Sequence, residues 1–335
     1  MKTMEIGAPP WDIRAEEYPL DGDLQSQLKF LVQYAVLAPS IYNSQPWRFL
    51  VERNRILIYP DITRWLPIAD PDQRELHISI GCALENLLIA AEYFGFSHQV
   101  SYLPEVHEDS AVAEVVFGPY GWPSPFRPLA LFHSIPKRIT NHHPYDGKQV
   151  SEEKMAALRA RCVDRDISLF TTTDTLTRRL IEEIVVWSDS LLFADPAFRE
   201  ELGYWIGQGT FGTPWLRAKL SQMAVTHLNA GDKQAKQDSE VLMSSPVFGV
   251  ILSRHNDHAS HVRVGQTFER IYLTATSLGL SLQPMSHVVE TPETRWELAK
   301  LLHVTDEHPQ QPFRLGFGEP EQHRTPRRPL EEVLC

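Results

Sequence analysis

GCALENLLIAAEYFGF (residues 81–96) and GQTFERIYLTATSLGL (residues 265–280) decide the fold. Gly81 matches Gly265, Glu85 matches Glu269, Ala91 matches Ala275 and Gly95 matches Gly279, all at one offset of 184 residues. Both stretches read as helices buried on most sides, and the first is apolar nearly all round. A short polar stretch and then an extended segment follow each. Self-similarity at this spacing has the scale of a domain, so the chain reads as a duplicated α+β lobe. Two such lobes would build a pseudo-dimer in one chain, with a cleft where the halves meet.

The remaining patterns fit around these helices. Residues 22–37 carry apolar residues three to four apart and predict an amphipathic helix. RFLVERNRILIYP alternates around Asn54 and predicts a hairpin; QVSYLP and AVAEVVF predict two further strands. The proline-rich stretch 118–136 reads as a linker. Ser151 with Glu152 and Glu153 opens a helix, ISLFTTT is a strand, and 176–193 is a helix. Residues 194–245 read as an irregular or helical insertion. VFGVILSR is a buried strand and PFRLGFG a late one. The expected division is an N-terminal lobe over 1–128 and a C-terminal lobe over 129–335.

Composition narrows the function. The chain has 335 residues and a net charge of -11, which argues against a nucleic-acid or anionic-membrane partner. No apolar run reaches the length of a membrane span, and the N-terminus lacks the order of a signal peptide. Cys82, Cys162 and Cys335 form no disulfide or metal pattern, so a cytoplasmic setting is expected. His142 and His143 are adjacent, and no HxxxH or HExxH frame occurs, so no metal is expected. GQGTFG, residues 207–212, spells GxGxxG with Asp232 beyond it. The preceding FREELGYWI is helix-like, and Pro214 and Trp215 stand where a helix should begin. The dinucleotide reading is therefore rejected. A glycine loop beside aromatics suits a lid.

Three loops carry candidate chemistry. Arg138, Thr140 and His142 alternate in KRITNHHP, so in extended backbone they share a side and offer a phosphate grip. Arg324, Arg327 and Arg328 form a second basic cluster, which also reads as a solvated tail. APSIYNSQPW, residues 38–47, holds Ser40, Asn43 and Gln45, which could face a planar polar ligand. Equally, the loop could be a proline-stopped, capped turn with Trp47 filling core. Bare chemistry leaves these alternatives open.

These segments also carry a resemblance. APSIYNSQPWRF is similar to the A-P-S-x-x-N-x-Q-P-W segment of the FMN-dependent nitroreductase family. RITNHHP resembles that family's R-x-[ST]-x-[KR] phosphate motif, GLSLQPMS its G-L-x-x-x-P stretch, and TPRRPLEEV its basic C-terminal segment. Their order, with DITRWLPIADPDQRE, resembles the long two-lobed Acg-like branch over most of residues 25–333.

The resemblance implies a nitroreductase-like fold duplicated in one chain, with mainly antiparallel sheets on buried central helices. Ordinary members are homodimers with FMN at the interface. Here APSIYNSQPW and the Arg/Thr loop occur once each, implying a fused dimer with one intact flavin site. By the same implication Arg138 and Thr140 grip the FMN phosphate, with Arg327 or Arg328. Ser40 and Asn43, and with them Gln45, reach the ribityl and ring from the other lobe. Pro284, Met285 and Ser286 border the flavin, the Ser286 N–H near N5. His142 stands where the family usually has Lys or Arg, at the flavin N1 edge. A part-time cation there predicts pH-dependent flavin reduction. The implied activity is NAD(P)H-dependent reduction of nitroaromatic or quinone-like acceptors, with no side chain required as general acid. The alternative is an FMN storage or sequestration protein, its flavin covered by the 194–245 insertion through Trp205, Phe211 and Trp215. The chain would be a monomer with an internal pseudo-dimer, or a homodimer.

Overall fold

The computed structural model describes residues 10–102, 110–212, 215–227, 231–304 and 306–335. The first half runs α1 (Leu24–Ala35), β1 (Trp47–Glu52), β2 (Arg55–Pro60), α2 (Arg74–Tyr93), β3 (Ser97–Tyr102), β4 (Ala113–Gly118) and the short α3 (Leu129–Phe132). The second runs α4 (Glu152–Arg159), β5 (Ile167–Thr172), α5 (Thr175–Ala194), α6 (Pro196–Gly207), α7 (Trp215–His227), α8 (Gly231–Ser244) and β6 (Val247–Ser253). It continues through α9 (His258–Ser277), β7 (Ser281–Pro284), α10 (Pro292–Leu301), β8 (His308–Gly316) and α11 (Leu330–Val333).

The described strands form two four-stranded antiparallel sheets, ordered β1-β2-β4-β3 and β5-β6-β8-β7. The orders are identical once renumbered, and α2 and α9 occupy the same place in each chain order. This is the duplication that residues 81–96 and 265–280 predict. Both helices end at a left-handed glycine in the same repeat position, Gly95 (φ 83) and Gly279 (φ 70).

The helices α2 and α9 cross where the repeat aligns them, at Gly81 against Gly265. A Cβ on Gly81 would stand 2.9 Å from Gly265 Cα and overlap the Val262 carbonyl oxygen. A Cβ on Gly265 would stand 2.9 Å from Gly81 Cα and overlap the Ile78 carbonyl oxygen. Ile78 and Val262 are themselves repeat partners, so the crossing has approximate two-fold symmetry. Glycine is required there by backbone approach.

The halves share one hydrophobic core, which contains Leu28, Trp47 and Leu84 from the first and Phe268, Leu282 and Phe313 from the second. The tail then returns to the first half: Leu334 bridges Phe49 in parallel, and Cys335 N donates to Phe49 O at 2.9 Å. A cut at 128/129 thus crosses both the core and this last pairing.

Three expectations need correction. The β1–β2 hairpin turns on Arg53 and Asn54 alone, whereas α5 to α8 all lie between β5 and β6. Measured against the repeat, the insertion starts at α5 rather than at residue 194. The supposed linker contains α3, whose Phe132 stacks on Tyr93 with ring centroids 3.6 Å apart. A helix does begin at Trp215, but GQGTFG closes α6 rather than a strand, so its dinucleotide reading still fails. Among the described residues, no helix is long and apolar enough to cross a membrane.

Candidate functional site

The loop between α1 and β1 is backbone-strained. Tyr42, Asn43 and Gln45 have φ of 48, 52 and 52, a conformation uncommon in residues other than glycine. Such strain persists only where surroundings over-determine it. Here Ser40 Oγ accepts from Gln45 N at 2.9 Å. Asn43 Nδ2 donates to Thr210 O at 2.8 Å and Pro326 O at 2.9 Å, while its Oδ1 accepts from Arg327 at 2.7 Å. Gln45 Oε1 accepts from Arg328 N at 2.8 Å. The loop therefore holds the C-terminal segment and the insertion, with the side-chain amides of Asn43 and Gln45 both bonded to protein.

The two basic clusters behave differently from each other, and Arg327 behaves differently from Arg328. Arg328 ion-pairs with Asp61 at 3.0 Å and donates to Gln45 O at 3.1 Å and Glu332 O at 2.8 Å. It is committed to the fold. Arg138 and Arg327 both donate to Leu37 O, the carbonyl just beyond α1, at 3.1 and 3.4 Å. Each is buried, and the Nε of each has no hydrogen-bond partner. Arg324 joins them: it and Arg327 lie over the Trp11 ring at 4.8 and 4.5 Å, and Trp11 Nε1 donates to Thr325 O. Burial and the nearby Arg138 charge push the Arg327 pKa well below the usual guanidinium range.

Among the described residues, two carboxylates lie near this cluster, Asp12 beside Arg324 and Glu269 beside Arg138 and Arg327. Glu269 lies 3.8 Å from Arg138 Nε, and burial pushes its pKa up to about 7 despite the Arg138 charge. Three guanidinium groups outnumbering their carboxylates, with the buried Nε–H groups of Arg138 and Arg327 unpaired, fit an incoming dianion. They fit the phosphate of FMN on these grounds. Leu37 O supplies a structural role as well, since cations favour a helix C-terminus.

Thr140 and His142 connect this cluster to β7. The Tyr272 hydroxyl donates to Leu282 O at 2.9 Å and stands 2.9 Å from Thr140 Oγ1, beneath the Arg138 guanidinium at 4.9 Å from its ring. Gln283 Oε1 accepts from Arg314 Nε at 2.6 Å. Arginine can only donate, so this contact fixes the amide, and Gln283 Nε2 donates to His142 Nδ1 at 3.0 Å. Nδ1 must then carry its lone pair and the ring proton sits on Nε2. His142 keeps accessible surface. Desolvation, and then the Arg314 charge, lower its pKa. The accepting Nδ1 and the lowered pKa both favour the neutral imidazole over the expected part-time cation.

Pro284 ends β7. Met285 is fully buried in a cluster with Ile181, Leu242 and Val288, so its side chain belongs to the core. Ser286 Oγ accepts from Gln311 Nε2 at 3.0 Å and lies 3.4 Å from Glu75 Oε2 at the start of α2. Ser286 also opens a short 3-10 helix, whose first-turn N–H groups lack internal partners.

The predicted residues thus gather along one seam between the halves, with Arg328 and the Met285 side chain turned away. Arg314, Trp11, Tyr272 and Glu269 were missed as site residues. Arg314 alone left a trace, as a charge inside the apolar strand PFRLGFG; its guanidinium is fully buried and also donates to Asn141 O, His143 O and Val241 O. Over the seam, Trp205 is buried with Leu66 and Phe198, and Phe211 lies 6.2 Å from Tyr42. The Trp215 side chain lies outside the described residues.

No family model matches the chain. It is 26% identical over 326 residues, 92% of this chain and 95% of the relative, to "Putative NAD(P)H nitroreductase acg" of Mycobacterium tuberculosis. It is 24% identical to "Probable NAD(P)H nitroreductase PigM" of Serratia sp., covering 92% and 93% of the two chains. Among solved structures, the FMN-dependent nitroreductase NfnB from Mycobacterium smegmatis, in complex with NADPH, matches at a TM-score of 0.44 and 15% identity, over 61% of this chain and 96% of that one. The chain is thus similar over 92% of its length to proteins named as NAD(P)H nitroreductases.

Proposed function

We propose, from that similarity, that this chain is an FMN-dependent oxidoreductase that uses NAD(P)H to reduce nitroaromatic or quinone-like acceptors. The observation that carries the reading is the convergence of Arg138, Arg324 and Arg327, three guanidinium groups with only Glu269 and Asp12 as nearby carboxylates among the described residues. Arg138 and Arg327, with Thr140, would hold the phosphate. FMN, when bound, supplies hydride acceptance from the nicotinamide and its delivery to the acceptor. Asn43 positions Arg327 by accepting from it. Pro284 and the Met285–Ser286 backbone would border the ring, with the Ser286 N–H as a donor. His142, proton on Nε2, offers a hydrogen bond and not a full charge. Proton delivery needs no buried acid on this seam.

A storage role is the second reading, and a specific observation favours it. The insertion is bonded across the loop through Thr210 O, and Gly212 O lies 2.8 Å from His323 Nε2 beside Arg324. A closed insertion would exclude nicotinamide. The purified protein separates the two by its visible spectrum during anaerobic NADPH addition. A yellow protein that bleaches is an enzyme, and one that stays yellow stores FMN. A colourless protein that takes up no added FMN overturns both.

A further inference from the structure

Bordering the seam, Asp189 of α5, Asp238 of α8 and His287 of the short 3-10 helix after β7 come together. One ligand atom from each lies within 4.8 Å of the other two. His287 Nε2 stands 3.9 Å from Asp189 Oδ1 and 4.0 Å from Asp238 Oδ2. Hydrogen bonding engages this set only in part: Asp189 lies within hydrogen-bonding reach of Asp238, and Asp238 Oδ2 accepts from Gln234. Asp189 is 2% exposed, yet its Oδ2 has no hydrogen-bond partner, and neither has His287 Nε2. A buried carboxylate oxygen left this way is costly unless a cation or donor meets it. No guanidinium or ammonium pairs with Asp189 among the described residues. A further buried carboxylate, Glu290, adds its field nearby.

We propose that Asp189, Asp238 and His287 bind one divalent transition-metal ion. Two carboxylates and an imidazole suit a borderline ion such as Zn2+ or Mn2+. Ligands about 2.1 Å from a tetrahedral centre stand about 3.4 Å apart, so the site needs only a small contraction to close on an ion. The surroundings supply supporting contacts of the kind metal ligands have. Gln234 Nε2 donates to the Asp238 carboxylate at 2.9 Å, while Ser188 Oγ donates to the backbone O of His287 at 2.5 Å and so fixes the main chain rather than the ring. Three protein ligands leave a position for water. The ion would fasten α5 and α8 of the insertion to the segment that immediately follows Ser286. Sequence spacing hides the set, because its members come from three distant elements.

The test uses the full chain, stripped with EDTA and titrated calorimetrically with Zn2+ and with Mn2+. One equivalent of either, bound with micromolar or tighter affinity, is expected. Asp238→Asn and His287→Ala should each weaken that event at least tenfold, and EDTA should lower the thermal midpoint of the loaded wild type by a few degrees. Absence of binding to the wild type overturns the proposal without any variant. Binding that survives both substitutions also overturns it, since the chain has 14 histidines able to take zinc elsewhere. Metal binding is measured independently of FMN, so its failure and that of the flavin reading are distinguishable.

Discussion

Arg327 and Arg328 are neighbours in sequence with different consequences. Arg328 is paired with Asp61 in a setting where each side chain is about nine-tenths buried, so Arg328→Ala strands a carboxylate. It should cost about 3 kcal/mol of stability, read from a denaturant midpoint. Arg327 is desolvated beside Arg138. Arg327→Ala relieves that desolvated charge but strands Asn43 Oδ1, so it should cost the flavin-free protein less stability than Arg328→Ala, while FMN affinity falls by about 2 kcal/mol in a fluorescence titration. Equal stability losses in both variants would remove the distinction. His142 gives the second residue-scale expectation. A lowered imidazole pKa disfavours the charged form in the fold, so its stabilising effect is present above the ordinary pKa of about 6.5 and is lost as pH falls through the lowered value. Flavin reduction by NADPH should therefore be flat above about pH 7 and change only on the acid side. His142→Ala should abolish that change; an unaltered stopped-flow pH profile would refute the assignment.

At the scale of elements, the sequence reading found the helices and strands that repeat, because their periodicity and glycine endings are local signals. It located Gly81 and Gly265 but could not show that they touch each other. Gly265→Ala should force α9 off α2 and cost about 3 kcal/mol, measured by chemical unfolding, because the added methyl meets backbone rather than a movable side chain. The roles of Arg314 and Glu269 escaped sequence reading for a related reason: what makes them informative is the partner each has, or lacks, across the fold. The loop 38–47 was legible as polar and surplus. Its left-handed residues and its bonds to Thr210 and Pro326 required coordinates.

Across the whole molecule, the two halves treat equivalent places unequally. Glu269 faces Arg138 at 3.8 Å with its carboxyl pKa raised, whereas its repeat partner Glu85 is held by Arg127 at 2.6 Å and Arg270 at 3.0 Å. Arg127 also reaches Glu92 at 2.8 Å, and Gln266 donates to Glu85 at 3.1 Å. Charge is balanced on that side and left in positive excess on the other. In a symmetric pair of identical subunits, any substitution strikes both copies of a site together. The fused chain has lost that coupling. One side could become a sealed ionic strut that clamps the crossing helices, while the other kept destabilising, unneutralised arginines. The asymmetry lets a single polypeptide keep a neutralised strut at one repeat position and a positive excess at the other.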